Sequence, residues 1–363
     1  MVKGRELALY TTRLWTLVLV IPMLVGSFAE GRETKPGPTA QDTSFPEPLE
    51  TYLRRDIRMT ATQLSALRSG QAFTKLIPTD TKNEVAIFGA IWIEAPPSQY
   101  IALLKDIEHF ERGTGFLDTK RISTPPRLSD FDALELDNKD LSALRICKVG
   151  KCDVKLSQNG LQRIRSGVDW SRPTANADAL RVIRSLFFEY VQAYQAGGNE
   201  RLAVYHDSDR PTLIAEEFTG MIHAMSPLMA YLPDLQRHLL EYPKFTTPGS
   251  SDFFYWQIVN FGLKPTVRIN HVIIENSPAG IAVASKQLYA SHYFQTAIEL
   301  RVLVTDPSRR TGFYFVNVNR SRVDGLTGFL GSLIRGRVRS KSQQGLERAL
   351  RTTKLLVEMK ARS

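Results

Sequence analysis

The sequence predicts an α+β fold with an antiparallel sheet, a helical insertion and a long C-terminal helix. Three observations lead to this prediction. A strand-like and then helix-like pattern occupies residues 84–112, the pattern is helical from about 159 to 242, and five strand-like runs followed by a helical stretch fill the rest. Strands and helices that are segregated along the chain are typical of α+β folds.

The composition of the 363 residues is that of a globular protein, with 43% hydrophobic and 23% charged residues. It excludes a collagen-like, coiled-coil, wholly disordered or polytopic membrane protein. Two cysteines are too few for a disulfide-dense scaffold or a four-cysteine zinc site. The net charge is +10, so the protein is basic.

Residues 1–29 have the pattern of a secretory signal. Lys3, Arg5 and Arg13 precede the apolar stretch 14–26, and Ser27-Phe28-Ala29 supplies small residues at a cleavage point. The apolar stretch is shorter than the roughly 20 residues that span a bilayer. We therefore expect an exported protein, periplasmic or extracellular, or an N-terminal membrane anchor if the signal is not cleaved.

Four prolines among polar residues make residues 30–50 a predicted disordered linker. A single domain is then expected at 51–363. Within it lie the helical insertion, at about 159–242, and a basic C-terminal segment, 335–363.

The first elements of this domain have clear signals. Thr60 is a candidate N-cap for a helix that ends near Ser69. Residues 85–93 are apolar on both faces of a strand, which is typical of a central or ligand-facing strand. Pro96-Pro97 end that strand, and an amphipathic helix to Phe110 follows.

The later elements follow from periodicity and turn residues. The clearest helix of the insertion runs from Ala175 to Ala196 and ends at Gly197-Gly198. Two or three weak strands are expected between Ala133 and Leu156. The sheet strands of the back half are expected at 253–261, 266–275, 280–288, 292–304 and 312–319, and the last helix from about Asp324 to Met359.

Cys147 and Cys152 flank the tetrapeptide KVGK. Two short strands joined by a turn at Gly150 would bring them opposite each other, and export favours a disulfide. Closing so small a loop stabilises the fold by about 2 kcal/mol in the chain-entropy model. The alternative is a pair of unpaired core thiols.

Two segments carry a resemblance to a known family: AIFGAIWIEAPPSQYIALLKDIEHFE at 86–111 and YFVNVNRSRVDGLTGFLGSLIRGRV at 314–338. With the order of elements, they resemble the START-like superfamily (SRPBCC or helix-grip proteins), as an exported, bacterial-type member. The resemblance implies a curved antiparallel sheet wrapped around the C-terminal helix, with an apolar cavity between them. It transfers no catalytic residue.

No catalytic motif stands out. The G-x-S-x-G sequence is absent, and none of the six histidines forms H-E-x-x-H or an i, i+4 pair, so no metal or cofactor site is predicted. Gly325, Gly328 and Gly331 lack the Lys of a nucleotide-binding loop. They either allow close contact between helix and sheet or leave room for a ligand.

The basic C-terminal segment leaves two interpretations open. It contains Arg335, Arg337, Arg339 and Lys341, which form either a solvated surface or a contact with an anionic membrane surface. Nucleic acid is disfavoured as a partner because an exported protein leaves the compartment that contains nucleic acid. The Met-rich run 221–229 is either core filling or an adaptable lid. The oligomeric state stays open.

The function that the sequence favours is non-covalent binding or transport of a hydrophobic small molecule or lipid. An enzyme of the same fold, with His271 or His292 as acid or base, is one alternative, and a structural envelope protein is another. The candidate ligand-binding residues, assigned by predicted face, are Phe88, Trp92, Trp256, His292, Phe294, Phe329, Leu330 and Leu333.

Overall fold

A computed structural model gives the fold. It describes residues 45–362 except 113–114, 261–263 and 327, and it leaves out the side chains of 328–330, 332 and 333. The predicted signal, residues 1–29, and the predicted linker as far as residue 44 lie outside the described residues.

The described end of the predicted linker is folded. Phe45 and Leu49 are buried, and helix α1 (Glu47–Thr51) begins inside the range predicted to be disordered. Pro46 and Pro48 suit this position because proline is tolerated just before and within the first turn of a helix. The folded domain therefore includes residues 45–50.

An open, eight-stranded antiparallel sheet forms the centre of the fold, with the strands in the order β1-β2-β10-β9-β8-β7-β6-β3. All five strands predicted for the back half are present. A separate pair, β4 (Val204–Tyr205) and β5 (Thr212–Leu213), lies in the insertion. The sheet strands are β1 Phe73–Ile77, β2 Glu84–Ile93, β3 Phe116–Ile122, β6 Ser251–Val259, β7 Thr266–Ser277, β8 Gly280–Ala290, β9 Phe294–Thr305 and β10 Phe313–Val323.

The helices lie before, between and after these strands. A π-helix at Tyr52–Asp56 continues α1, and short 3-10 turns lie at Leu128–Phe131 and Gly198–Arg201. The other helices are α2 Ala61–Arg68, α3 Pro97–Lys105, α4 Ile107–Phe110, α5 Asn138–Leu144, α6 Gln158–Gly167, α7 Ala175–Gly197, α8 Ile214–His223, α9 Ser226–Met229, α10 Pro233–Glu241 and α11 Gly328–Arg362.

The long C-terminal helix α11 lies on one face of the sheet, which we call the α11 face. It packs on β1 and β2 and contacts α3. A Cβ added at Gly89 would lie 2.9 Å from both Leu346 and Leu350, so the absence of a side chain there lets the helix approach β2 closely. The helix runs without a break through Gly345, and Leu350 and Val357 are buried on the sheet.

The helical insertion covers the opposite face, which we call the insertion face. Residues of β2 alternate between the two: Ile87 and Ile91 join the core under α11, whereas Phe88 and Trp92 join the core under the insertion. Every residue of β2 is buried. This confirms the prediction of a central strand that is apolar on both faces.

The region around the cysteines corrects one prediction and confirms another. The expected weak strands between Ala133 and Leu156 are replaced by α5, whose start is capped by the carboxylate of Asp137, and by a single bridge between Lys148 and Lys151. Burial of apolar side chains of α5 in the core outweighs the strand-like alternation of the sequence. The predicted Cys147–Cys152 disulfide is present.

Candidate functional site

A diagonal row of polar side chains crosses the α11 face of the sheet. Cross-strand pairing places its members next to one another, since Thr119 pairs with Gln257, Gln257 with Arg268, and Asn270 with Gln287. We call this row the polar stripe. Its members are Thr119 (β3), Gln257 (β6), Arg268 and Asn270 (β7), Ser285 and Gln287 (β8), Glu299 and Arg301 (β9), and Asn317 (β10).

The polar stripe holds buried atoms that have no hydrogen-bond partner within the described chain. Gln287 is 1% exposed and Asn270 2%. A buried polar group that stays without a partner costs about 1–3 kcal/mol, so a ligand or water that bonded to these atoms would be stabilising. The unpartnered stripe atoms are Thr119 Oγ1, Gln257 Oε1, Asn270 Nδ2, Gln287 Nε2 and Asn317 Oδ1.

Parts of the stripe remain open to solvent even though they lie on central strands. The Glu299 side chain is 27% exposed and that of Arg301 is 10% exposed, and Ser285 and Arg268 are half-buried. Solvent therefore reaches part of the stripe on the α11 face, although Asn270 and Gln287 are buried. We call this partly open region of the α11 face the groove.

The polar groups in the groove are held in place by one another. The guanidinium of Arg301 donates to Ser285 Oγ at 3.0 Å and to the Glu299 carboxylate, which also accepts from Asn317 Nδ2 at 2.6 Å. Arg268 Nε donates to Gln287 Oε1 at 3.0 Å. These bonds orient the side chains, so their remaining donors and acceptors have fixed directions.

Glu111 lies at the same face, just after α4. The hydroxyl of Tyr255 donates to its Oε1 at 3.3 Å, and its Oε2 has no hydrogen-bond partner among the described residues. Burial raises the pKa of the Glu111 carboxyl to about 7, against the lowering effect of Arg301 and Arg268. A carboxyl that titrates near neutral pH is suited to proton transfer.

Three of the predicted ligand-binding residues lie on the other side of the sheet. Phe88, Trp92 and Trp256 belong to the core under the insertion, and not to the face that carries α11. Trp256 Nε1 donates to the carbonyl of Asp130 at 2.8 Å. Their positions do not fit the prediction that they line a cavity between the sheet and the C-terminal helix, because all three side chains lie on the insertion face.

The remaining predicted residues are divided. His292 lies in the bend after β8, not within a strand, and its Nε2 is 2.7 Å from a carboxylate oxygen of Asp140. Phe294 does adjoin the stripe, because the Arg268 guanidinium lies 5.6 Å from the centre of its ring. The side chains of Phe329, Leu330 and Leu333 lie outside the described part of the chain.

His271 belongs to a second buried polar cluster, on the insertion face. Lys286 Nζ donates to the hydroxyl of Tyr194 at 3.1 Å, Tyr194 lies 3.3 Å from His271 Nδ1, and His271 Nε2 lies 2.8 Å from Asp252. Lys286 also donates to the side-chain oxygen of Asn199. We call these five residues the lysine relay.

Burial governs the protonation of the lysine relay. It lowers the pKa of the Lys286 amine well below its usual value and that of His271 to about 4. A neutral His271 accepts from Tyr194 and donates to Asp252, so a hydrogen bond joins each member to the next. Neither Lys286 nor His271 lines the two cavities on the insertion face, which have volumes of about 30 and 280 Å³. The relay thus ties the insertion to the sheet.

The sequence interpretation missed the polar stripe, although a signal is present. Three neighbouring strands each carry two polar residues in alternate positions: Arg268 and Asn270, Ser285 and Gln287, Glu299 and Arg301. Alternate residues share a face. This pattern marks a polar face, but only the pairing of the strands aligns the faces into one row.

The basic residues predicted to contact a membrane point in different directions. Arg335 donates to the carbonyl of Leu326 at 2.9 Å and Arg339 to Thr79 Oγ1 at 3.0 Å. Arg337 is exposed, and Lys341 is half-buried. The guanidinium groups of Arg335 and Arg339 are thus bound to the protein itself.

Across the described ranges, no cluster of three or more His, Cys, Asp or Glu side chains is arranged to hold a metal ion. No helix in that part of the chain has the length and apolar character that a membrane span requires. The chain has no match among models of protein families, curated proteins or solved structures.

Proposed function

We propose that this protein binds and carries a small organic molecule in the groove between the sheet and α11. The observation that carries the proposal is the row of buried, unpartnered polar atoms in the polar stripe. A bound molecule that supplies donors and acceptors would offset the cost of burying these atoms. Small-molecule sites typically combine a few such groups with apolar walls.

The groove favours an amphipathic ligand over a wholly hydrophobic one. Its floor is polar, while the side of α11 contributes the half-buried Ile334 and Val338, which pack against the apolar core of this face. The ligand we propose has an apolar part and several hydrogen-bonding groups. This proposal is narrower than the hydrophobic small molecule or lipid expected from the sequence. The reason for the narrower proposal is that the polar stripe lies in the groove.

The family and the location belong to the same proposal. A sheet that carries a long C-terminal helix on one face supports a START-like fold. The Cys147–Cys152 disulfide supports an oxidising, exported compartment. Peripheral contact of the basic C-terminal segment, 335–363, with an anionic membrane surface is also proposed.

The proposal is tested by native mass spectrometry of the purified protein. We expect a retained molecule that is released on denaturation, and we expect Asn270→Leu/Gln287→Leu to retain none while staying folded. The control is Asn276→Leu, which makes the same change at an exposed position of the same strand, outside the stripe. Wild-type protein that retains nothing after gentle purification, or a double variant that retains as much as wild type, would contradict the proposal.

Glu111 supports a second candidate, an enzyme that acts on the bound molecule. Its pKa of about 7 and its place beside Arg301 suit a general acid or base. The released molecule would then be chemically altered by wild-type protein and unaltered by Glu111→Gln, as liquid chromatography with mass detection would report. Identical molecules from both proteins would rule out this role and leave binding alone.

A further inference from the structure

A cleft on the insertion face has the character of a second binding site. Its volume is about 280 Å³, near the lower end of the roughly 300–1,000 Å³ that is usual for ligand pockets. The π-helix Tyr52–Asp56 and its continuation to Arg58 form one wall, and Ala224–Leu228 forms another. We call it the arginine cleft.

Apolar side chains form much of the cleft. Ile57, Ile77, Met225, Leu228 and Val318 line it. A smaller hollow, of about 30 Å³, shares Tyr52 and Leu228 with the cleft. Aliphatic and aromatic side chains line this hollow. An aliphatic chain in the cleft would therefore contact these apolar side chains, and burial of its surface favours binding.

Arg320 places an unpartnered cationic nitrogen in this wall. Its side chain is 5% exposed, and its Nε lies 2.9 Å from the buried carboxylate of Glu84. Its Nη1 is buried and has no hydrogen-bond partner among the described residues. Glu84 also binds Arg322, which in turn binds Glu217, so two guanidinium groups share two carboxylates here.

Arg58 adds a second positive charge at the same cleft. It is exposed, and within the described residues its guanidinium forms no ion pair. Its backbone has φ +56°, a left-handed conformation that costs a residue other than glycine about 1 kcal/mol or more. By contrast, Arg55 is neutralised by Asp56, with Nε 3.1 Å from Oδ1.

We infer that the arginine cleft binds an anionic amphiphile, with its carboxylate or phosphate on Arg320 and Arg58 and its aliphatic chain against Met225 and Leu228. The head group would supply the acceptor that Arg320 Nη1 lacks. A bond between a charged donor and a charged acceptor is among the stronger ones in proteins. This inference does not depend on the groove beside α11, which lies on the other face.

The test is the binding of three probes with one chain length, measured by isothermal titration calorimetry: decanoate, decyl phosphate and decan-1-ol. We expect at least one anion to bind about 10-fold or more tightly than the alcohol. Decanoate alone points to a carboxylate ligand, and a preference for decyl phosphate points to a phosphate head group. Equal affinity for all three probes, or binding of none, overturns the inference.

Two variants localise the binding. Arg320→Gln should weaken the favoured anion by about 10-fold and leave decan-1-ol unchanged. Arg320→Gln also removes the ion pair with the buried Glu84 and so affects stability as well as binding. A second variant, Arg58→Gly, avoids this problem. It removes a charge while relieving the left-handed backbone, so it keeps the fold, and we expect about 3-fold weaker anion binding.

The matched control is Arg54→Gly, on the same segment but paired with Glu50 and absent from the cleft wall. It should leave the affinity of every probe unchanged. Anion binding that survives both Arg320→Gln and Arg58→Gly would overturn the assignment of the head group. Retention of a molecule in the groove beside α11 should be unaffected by these variants, so the two sites are tested separately.

Discussion

Two buried polar clusters on opposite faces of the sheet are satisfied to different degrees. On the insertion face, the lysine relay runs from Lys286 through Tyr194 and His271 to Asp252, and a hydrogen bond joins each member to the next. On the α11 face, the polar stripe buries Asn270, Gln287 and others with part of their hydrogen-bonding capacity unused. Both clusters include residues of the adjoining strands β6, β7 and β8.

The difference separates a structural role from a binding role. A satisfied buried network rigidifies the fold and specifies its packing. An unsatisfied one lowers stability, and such departures from full satisfaction are expected at functional or strained sites. The relay therefore stabilises the attachment of the insertion, while the stripe carries a stability cost that a ligand would offset. Four predictions test this contrast, from the largest expected effect to the smallest.

The largest effect on stability is expected at Gly198, which lies between α7 and Asn199 of the lysine relay. Its φ is +59°, and an added Cβ would lie 1.6 Å from the carbonyl oxygen of Tyr242. Gly198→Ala should therefore lower the free energy of unfolding by about 4 kcal/mol or more, or prevent folding. Urea denaturation followed by circular dichroism measures it.

The matched control for Gly198→Ala is Gly249→Ala. Gly249 also has a positive φ, +76°, but no atom lies within 4 Å of an added Cβ. Only backbone strain applies there, with a cost of about 1 kcal/mol. Equal losses at the two positions would show that the insertion face is not tightly packed at Gly198.

His271 makes the relay face sensitive to acid. Burial lowers its pKa from 6.5 to about 4 in the folded protein. Between these values the unfolded chain binds a proton that the folded chain does not, so stability is lost as the pH falls from 6.5 to 4. The advantage of wild type over His271→Gln should shrink by about 3 kcal/mol across that window.

Glu111, on the α11 face, gives the free energy of unfolding the opposite dependence on pH, so its contribution must be removed from the measurement. Its folded pKa of about 7 lies above the usual 4.5, and its contribution is therefore present at low pH and lost as the pH rises to 7. Urea titrations between pH 4 and 8 in a Glu111→Gln background isolate His271. A pH-independent difference between wild type and His271→Gln would contradict the proposed burial of the neutral ring.

The same contrast explains how far the sequence could predict this molecule. The five strands of the back half, the helix at Ala175 and the disulfide follow from local signals such as alternation, glycines and proximity of Cys147 to Cys152. β1 and α5 were missed because tertiary packing decides those segments. Phe88 and Trp92 lie on the face of β2 that is turned away from α11. The sequence could not predict this, because both faces of β2 are apolar and alternation alone does not say which face meets α11.

The third prediction concerns Tyr194, the central hydroxyl of the relay. Tyr194→Phe keeps the ring stacked on Tyr242 but removes the acceptor of Lys286 and the donor to His271. We expect a loss of about 2 kcal/mol in the free energy of unfolding. Tyr231→Phe is the control: its hydroxyl accepts from the exposed Arg55, so its loss should change stability little.

The last prediction reverses the sign of the third, on the other face. Asn270→Leu replaces an amide whose Nδ2 has no partner in the described chain by an apolar side chain of similar size, and Asn270 is only 2% exposed. Removing an unsatisfied buried group should raise the free energy of unfolding of ligand-free protein by about 1 kcal/mol, as a shifted urea midpoint with an unchanged slope. Such a gain, combined with the loss of the retained molecule, would mean that Asn270 lowers stability in exchange for binding. A loss of stability like that of Tyr194→Phe would instead place the stripe with the relay, as a structural network, and would remove the reason to assign a ligand to this face.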